Sequence, residues 1–371
     1  MTKRLGRGRT TSSPCLEALV SLDGWYRVAT ATVGVGILIP VDRHTASVYC
    51  LELAGEDDAF AACEAASAAD AVDVVAPGLA TARGISPDRL RTLAYTHRAS
   101  ELVGHTDADV DSARHLLEAA TVDRRGSVAV RARDVHGKTG VSTQAAERTL
   151  GSVLVDRGFS VDLDDPDHVL RALFSDDVCL LGWLEVESVR DFGDRKPTDR
   201  PFFQPGSMAP LDARAFVNIA GAKPGATILD PMCGTGGVLL EAALVGARVV
   251  GADAQWKMAR GSQTNFEALT PEATWDVLRG DATSLALRDD SVDGVVFDAP
   301  YGRQSKIARH ELADLVAGAL AEAARVAPRA VVVADRSWED AAVDAGWEVD
   351  HLFERRVHGS LTRYVHVLTR A

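Results

Sequence analysis

Ala226-Thr227-Ile228-Leu229-Asp230-Pro231-Met232-Cys233-Gly234-Thr235-Gly236-Gly237 is the stretch that decides the fold. A short apolar run ends on an acid and passes at once into a glycine-rich turn, after which Val238 to Val245 has a helical pattern. A strand, a glycine loop and a helix in that order can cradle a nucleotide-like ligand at the carboxyl end of the strand. Gly234 and Gly236 allow backbone angles and a close ligand approach that side chains forbid. A dinucleotide fingerprint would need glycine or alanine three places after Gly236, where Leu239 stands, and no Gly-x-x-x-x-Gly-Lys-Ser/Thr string occurs. A carboxylate at Asp230 suits an amino-acid ammonium group better than a pyrophosphate.

Downstream of this loop the pattern alternates. Strands are predicted at 247–252, 275–279, 292–297 and 330–334, with helices at 258–268 and 310–326. Upstream, 209–220 reads as a helix. In the helix at 310–326, Leu312, Leu315, Val316, Ala319, Leu320 and Ala323 recur at helical spacing, one face for a sheet. The end, Trp347–Phe353 and Thr362–Leu368, reads as two long strands turning at Gly359. A parallel βα sheet closed by an antiparallel hairpin is the methyltransferase variant of the doubly wound fold. Gly251-Ala252-Asp253 ends the second strand, where an acid can take both ribose hydroxyls. Gly280-Asp281-Ala282 ends the third and can receive the amino group of an adenine. Acids at the ends of three consecutive strands lie where such sheets bind ligands.

Asp298-Ala299-Pro300-Tyr301-Gly302 follows the fourth strand. An amine conjugated to a nucleobase is a poor nucleophile, because its lone pair is delocalised into the ring. Acceptors on its protons favour the pyramidal form that can attack. The Asp298 carboxylate and the Ala299 carbonyl can be those acceptors, with Pro300 stiffening the turn. Tyr301 offers a ring on which a base can stack. Together with the cofactor acids, the turn points to S-adenosylmethionine chemistry on an exocyclic base nitrogen.

The 371 residues suit two or three domains. Residues 1–47 read as an extension, disordered or translated from a wrongly assigned start. Residues 48–177 read as a mixed α+β region rather than a βαβ one. It carries a strand at 127–133, a helix at 142–150, helical spacing over 90–102, and a strand-like run at Val178–Trp183 just beyond it. Residues 178–203 are assigned as a linker and 204–371 as the catalytic domain. No apolar run reaches the ~18 residues of a membrane-spanning helix, and the basic start precedes no signal-like apolar stretch. Cys15, Cys50, Cys63, Cys179 and Cys233 are scattered, which argues against disulfides or a zinc knuckle and for a reducing cytoplasm. The net charge of −13 is unusual for a nucleic-acid binder. Lysine is limited to six positions and aspartates cluster, as in Asp162–Asp167. That balance resembles proteins from a salt-loaded cytoplasm, where net charge speaks to solubility.

At this point the chain resembles a known family. Arg200-Pro201-Phe202-Phe203-Gln204-Pro205-Gly206-Ser207-Met208-Ala209-Pro210-Leu211-Asp212-Ala213-Arg214, together with Asp230–Gly237 and Asp298–Gly302, is similar to the THUMP-domain RNA methyltransferases. Among these it most resembles the archaeal tRNA (guanine-10-N2)-methyltransferases. Ser142–Gly151 and Val161–Asp167 are similar to the THUMP module, and the resemblance runs from Val48 to the C-terminus.

It implies a Rossmann-like class I methyltransferase domain with a mainly parallel seven-stranded sheet, preceded by a ferredoxin-like and THUMP RNA-binding region. It implies S-adenosylmethionine as cofactor, tRNA as partner, and N2-methyl- or N2,N2-dimethylguanosine as product. Asp298, Pro300 and Tyr301 would be catalytic. Asp230, Gly234, Gly236, Asp253, Asp281 and Ala282 would hold the cofactor, and no metal is implied. A small activating methyltransferase subunit stays open as a second partner. Two positions depart from the family: Ala299 where proline is usual, and Gln204 where histidine is common.

Arg124, Arg125, Arg131, Arg133 and Lys138 form a basic stretch suited to RNA. Arg303, Lys306 and Arg309 follow the catalytic turn, where phosphates flanking a flipped base would lie. Two other classes compete. A DNA adenine-N6 or cytosine-N4 methyltransferase would use the same turn, and a non-catalytic RNA-binding factor would have let the cofactor acids decay.

Overall fold

A computed structural model of the chain describes residues 47–301, 309–358 and 361–371. The expected extension at 1–47, all but Ser47, lies outside these, as do the turn at Gly359 and the basic residues Arg303 and Lys306.

The first part is an eight-stranded sheet in the order β2-β3-β1-β4-β8-β7-β5-β6. β1 (Val48–Leu53), α1 (Asp58–Ala65), β2 (Asp73–Ala76), β3 (Leu79–Arg83), α2 (Pro87–Leu90) and β4 (Thr96–Asp107) come first. Their strands pair antiparallel throughout, in the order β4-β1-β3-β2, which is the ferredoxin-like arrangement. α1 starts where Asp57 accepts a hydrogen bond from the Phe60 N–H at 3.0 Å, satisfying a donor the helix start leaves open.

The helical spacing read over 90–102 is overturned. Leu90 and Leu93 are buried at the end of α2 and in the turn after it, and from Thr96 the chain is a strand. At twelve residues, β4 is long enough to pair β1 along its first half and β8 along nearly all its length.

α3 (Val110–Ala119), β5 (Ser127–Asp134), α4 (Thr143–Asp156), β6 (Ser160–Val161), β7 (His168–Ser175) and β8 (Val178–Glu187) complete this sheet. β5 runs parallel to both β6 and β7. The region therefore contains a small βαβ unit that its short, mixed elements concealed. The linker assigned to 178–203 is also corrected. Its first ten residues are β8, hydrogen-bonded between β4 and β7. The connecting segment starts after Glu187.

The second part is a seven-stranded sheet. α5 (Pro210–Ile219), β9 (Thr227–Asp230), α6 (Gly237–Leu244), β10 (Arg248–Asp253), α7 (Trp256–Leu269), β11 (Trp275–Arg279) and β12 (Gly294–Asp298) lead into α8 (Arg309–Val326). β13 (Arg329–Ala334), α9 (Glu339–Asp344), β14 (Trp347–His358) and β15 (Leu361–Arg370) follow. The order is β11-β10-β9-β12-β13-β15-β14, with β9 to β13 parallel and β15 antiparallel to both neighbours. The expected parallel sheet with a closing hairpin is present. β9 lies between β10 and β12, so the chain leaves it in opposite directions along the sheet. A ligand crevice opens at the carboxyl ends of such neighbours.

One continuous core joins the two parts. Phe60 of α1 meets the rings of Tyr95, Phe216 of α5 and Phe353 of β14 edge-on, with centroids 5.3, 5.9 and 5.3 Å away. Edge-to-face aromatic packing adds to the burial itself. Beneath it, the buried Glu64 carboxylate accepts from the Ala94 and Tyr95 N–H groups and from the Asn218 side chain of α5.

Candidate active site

The loop after β9 has the geometry its glycines suggest. Gly234 and Gly236 have φ of 52° and 78°, left-handed values that favour glycine. A Cβ on Gly236 would also collide with Ser262 Oγ on α7. Asp230, at the end of β9, is 2% exposed and accepts a hydrogen bond from the Met232 N–H at 2.9 Å. Burial pushes its carboxyl well above the usual range, and the neighbouring acids Asp253 and Asp298 push the same way.

Asp253 closes β10. It accepts from the Gly234 N–H at 3.1 Å and the Gln255 N–H at 2.8 Å, so it braces the glycine loop from the side. Burial raises its carboxyl as well. Asp281 differs. It is exposed beyond the end of β11 and accepts from the Thr283 N–H and hydroxyl at 2.9 and 2.8 Å, which hold it below its usual range. Its neighbour Ala282 is buried.

Asp298 is the last residue of β12. Its Oδ1 accepts the Tyr301 hydroxyl at 2.8 Å. Burial raises the carboxyl to about 6, with Arg363 and the Tyr301 hydrogen bond pulling it back and Asp335 pushing it up. The Ala299 N–H donates to the Val333 carbonyl at 2.8 Å, continuing the β12–β13 pairing one residue into the turn. The family's usual proline has no N–H and cannot make that bond. The Ala299 N–H therefore ties the turn to β13.

A cleft of about 210 Å³ brings Asp230, the glycine loop and Asp298 together, while Asp253, Asp281, Ala282 and Tyr301 do not line it. Its walls include Gln204 to Met208, Asp230, the loop from Met232 to Thr235, Met258 and Asp298. The segment 204–208, the glycine loop and the carboxylate at the end of β12 thus share one cavity. Ser207 is tied to the loop through Thr235, hydroxyl to hydroxyl at 3.2 Å.

The basic residues read as RNA contacts divide. Arg131 donates to the Leu163 carbonyl at 2.6 Å, and Arg133 lies 3.3 Å from the buried Glu52 carboxylate. Arg124 pairs with Glu101 and Glu185 and sits over the Trp183 ring. These arginines make contacts within the first part, whereas Arg125 and Lys138 are exposed. The sequence reading missed Arg363 of β15. It is buried and donates from Nε to the Tyr301 hydroxyl oxygen at 3.1 Å.

Residues 197–365 match the family model described as the RMKL-like, methyltransferase domain. A tRNA (guanine(10)-N2)-dimethyltransferase of Methanothermobacter thermautotrophicus is 38% identical over 292 residues, covering 76% of this chain and 84% of that protein. The chain belongs to the tRNA (guanine(10)-N2)-dimethyltransferase family. Relatives of the same description from Methanocaldococcus jannaschii and Pyrococcus abyssi are each 30% identical. Each aligns with 66% of this chain, and the alignments span 71% and 74% of their lengths. Among the described residues, no helix is long and apolar enough to cross a membrane.

Proposed function

We propose that this protein transfers a methyl group from S-adenosylmethionine to the exocyclic N2 of a guanosine in tRNA, at position 10 by its family. The observation that carries the reading is the shared cleft, in which the Asp298 carboxylate faces the glycine loop and Asp230. The acids fit the cofactor. A buried carboxylate crowded by two others favours a cationic ligand, and the methionine end carries an ammonium and a sulfonium. Asp230 would hold the ammonium group, Asp253 the ribose hydroxyls, and Asp281 with the Ala282 N–H the adenine.

The bound cofactor supplies an electrophilic methyl group. The work of the chain is to prepare the amine. Oδ1 of Asp298 is committed to Tyr301, so Oδ2 and the Ala299 carbonyl are the acceptors for the two N2 protons. Drawing on those protons localises the nitrogen lone pair and aims it into the cleft, an effect of positioning. Asp298 takes the departing proton late or passes it to water. Tyr301 presents its ring to the base while its hydroxyl points inward, and Pro300 fixes the turn.

The eight-stranded sheet is the RNA-gripping part, with a THUMP module over the β5–α4–β6 half. Arg125 and Lys138 are among its exposed cations, and Arg303 and Lys306 serve flanking phosphates. The direct test mixes the purified chain, labelled S-adenosylmethionine and unmodified tRNA at high salt, then maps the product nucleoside. Methylated N2-guanosine is expected. Label on another atom, or on DNA and not tRNA, overturns the reading, and transfer by the chain alone excludes an obligatory activating subunit.

The same carboxylate sets a pH dependence. The ionised form accepts both a proton and a hydrogen bond, and it is lost as pH falls through about 6. Turnover at saturating substrates is therefore expected to fall about tenfold per unit below that point. A flat profile down to the ordinary carboxylate range would remove Asp298 from the acceptor role.

A further inference from the structure

Behind the catalytic turn lies a buried network of which Asp298 alone lines the cleft. Arg363 Nε donates to the Tyr301 hydroxyl oxygen at 3.1 Å, and that hydroxyl donates to Asp298 Oδ1 at 2.8 Å. On its other side Arg363 Nη1 lies 3.7 Å from Asp212 Oδ2, in the first turn of α5. Asp212 Oδ1 accepts the Tyr95 hydroxyl at 2.6 Å and Arg355 Nη2 at 3.2 Å. The Arg355 guanidinium is 3.9 Å from the Phe60 ring centroid. Arg363 is thus placed by Asp212, which the aromatic junction between the two parts of the protein holds in turn.

We propose that Arg363 is a positioning residue for methyl transfer. It fixes the Tyr301 hydroxyl and, through it, the orientation of the Asp298 carboxylate. The inference rests on the reading of Asp298 as the acceptor of the amine protons. A donor on the Tyr301 oxygen polarises its O–H and strengthens the bond to Oδ1. With that oxygen held, the carboxylate has one orientation and keeps its other oxygen for the substrate. Among the described residues, the charged and titratable groups facing Asp298 come from four places. They are Tyr301 in its own turn, Arg363 on β15, Asp335 just after β13, and Asp230 at the end of β9. Arg363 is the single cation of that set, so it also favours the ionised carboxylate against two acids.

The test compares Arg363→Gln, Arg363→Lys, Tyr301→Phe and Asp298→Ala in the full chain, measuring kcat and KM for cofactor and tRNA across pH. Arg363→Gln is expected to lower kcat by roughly 10–100-fold with both KM values near wild type, and to move the acid limb of the kcat profile upward. Arg363→Lys should return the limb towards wild type because it restores the charge. Tyr301→Phe keeps the ring, removes the connecting hydroxyl and should shift the limb in the same direction. It also decides the matter should Arg363→Gln fail to fold.

An inactive Asp298→Ala beside wild-type kcat and acid limb in Arg363→Gln overturns this inference alone. A limb unmoved in Tyr301→Phe does the same. Wild-type turnover in Asp298→Ala overturns the acceptor reading, and this inference with it.

Discussion

Asp298→Ala is expected to lower kcat for methyl transfer by roughly 10²–10⁴-fold and to leave S-adenosylmethionine affinity near wild type in a calorimetric titration. The separation follows from position. Asp298 stands at the end of β12, while Asp230 and Asp253 close the two strands that flank the glycine loop. On the proposed reading the cofactor's ammonium and ribose have their own acids, so removing the third leaves their contacts in place. What goes is the acceptor that makes a conjugated amine nucleophilic. Equal losses of turnover and cofactor affinity would make Asp298 a structural acid.

Stability gives an independent check on the same variant. The Asp298 carboxyl is raised by burial to about 6, above the 3.8 of an unfolded chain. An acid raised on folding holds its proton more tightly in the folded state. Its stabilising contribution is complete below the unfolded value and is lost as pH rises through about 6. At neutral pH the protein therefore carries an ionised carboxylate at a cost to stability, as reactive groups in functional sites commonly are. Alanine there removes that cost along with the Tyr301 hydrogen bond. A thermal midpoint no lower than wild type at neutral pH is expected, and an inactive variant is then not an unfolded one.

The glycine loop and the acids at the strand ends were readable because their signals are local. An apolar run, an acid and glycines at positive φ are adjacent in the chain, and each later strand repeats the pattern of acid after strand. The βαβ alternation beyond residue 209 likewise follows from period and turn residues. The first part resisted for a physical reason. β4 is packed along both its edges and carries His97, Arg98 and Glu101 among small residues, so burial does not alternate cleanly with polarity. Leu90 and Leu93, buried at the end of α2 and in the following turn, supplied a false helical period. β8 was cut from its sheet because the polar, proline-bearing segment after it was extended backwards over a strand.

Long-range partners were invisible in principle. Arg363 lies 62 residues from the tyrosine it holds, and its β15 neighbours read as an ordinary strand. Ala299 was legible as a departure from the family, but its bond was not. Only the fold shows that its N–H finds Val333.

The connecting segment is also more than a tether, and its anchor gives the largest expected stability effect. Glu241 lies on α6, directly after the glycine loop, and is fully buried. Arg195, from the connecting segment, grips it with two hydrogen bonds at 2.7 and 3.0 Å. Arg214 of α5 pairs with the same carboxylate at 2.8 Å, and the Phe192 ring packs against both guanidinium groups at 5.2 and 5.7 Å. One carboxylate thus fastens the connecting segment and α5 onto the helix that begins at the cofactor loop.

Glu241→Ala leaves Arg214 buried, with the Thr92 carbonyl at 3.3 Å as a remaining partner. Removing one member of a buried ion pair costs about 3–5 kcal/mol because the other charge stays desolvated. Chemical denaturation is expected to show a loss of that order, compared with less than about 1 kcal/mol for removing the exposed partner of Arg248, Asp276. Because α6 carries the glycine loop, the folded fraction of Glu241→Ala should also bind S-adenosylmethionine more weakly, unlike Asp298→Ala. A stability loss as small as that of Asp276→Ala would mean that α6 is held by its apolar packing, and that the arginines find other partners.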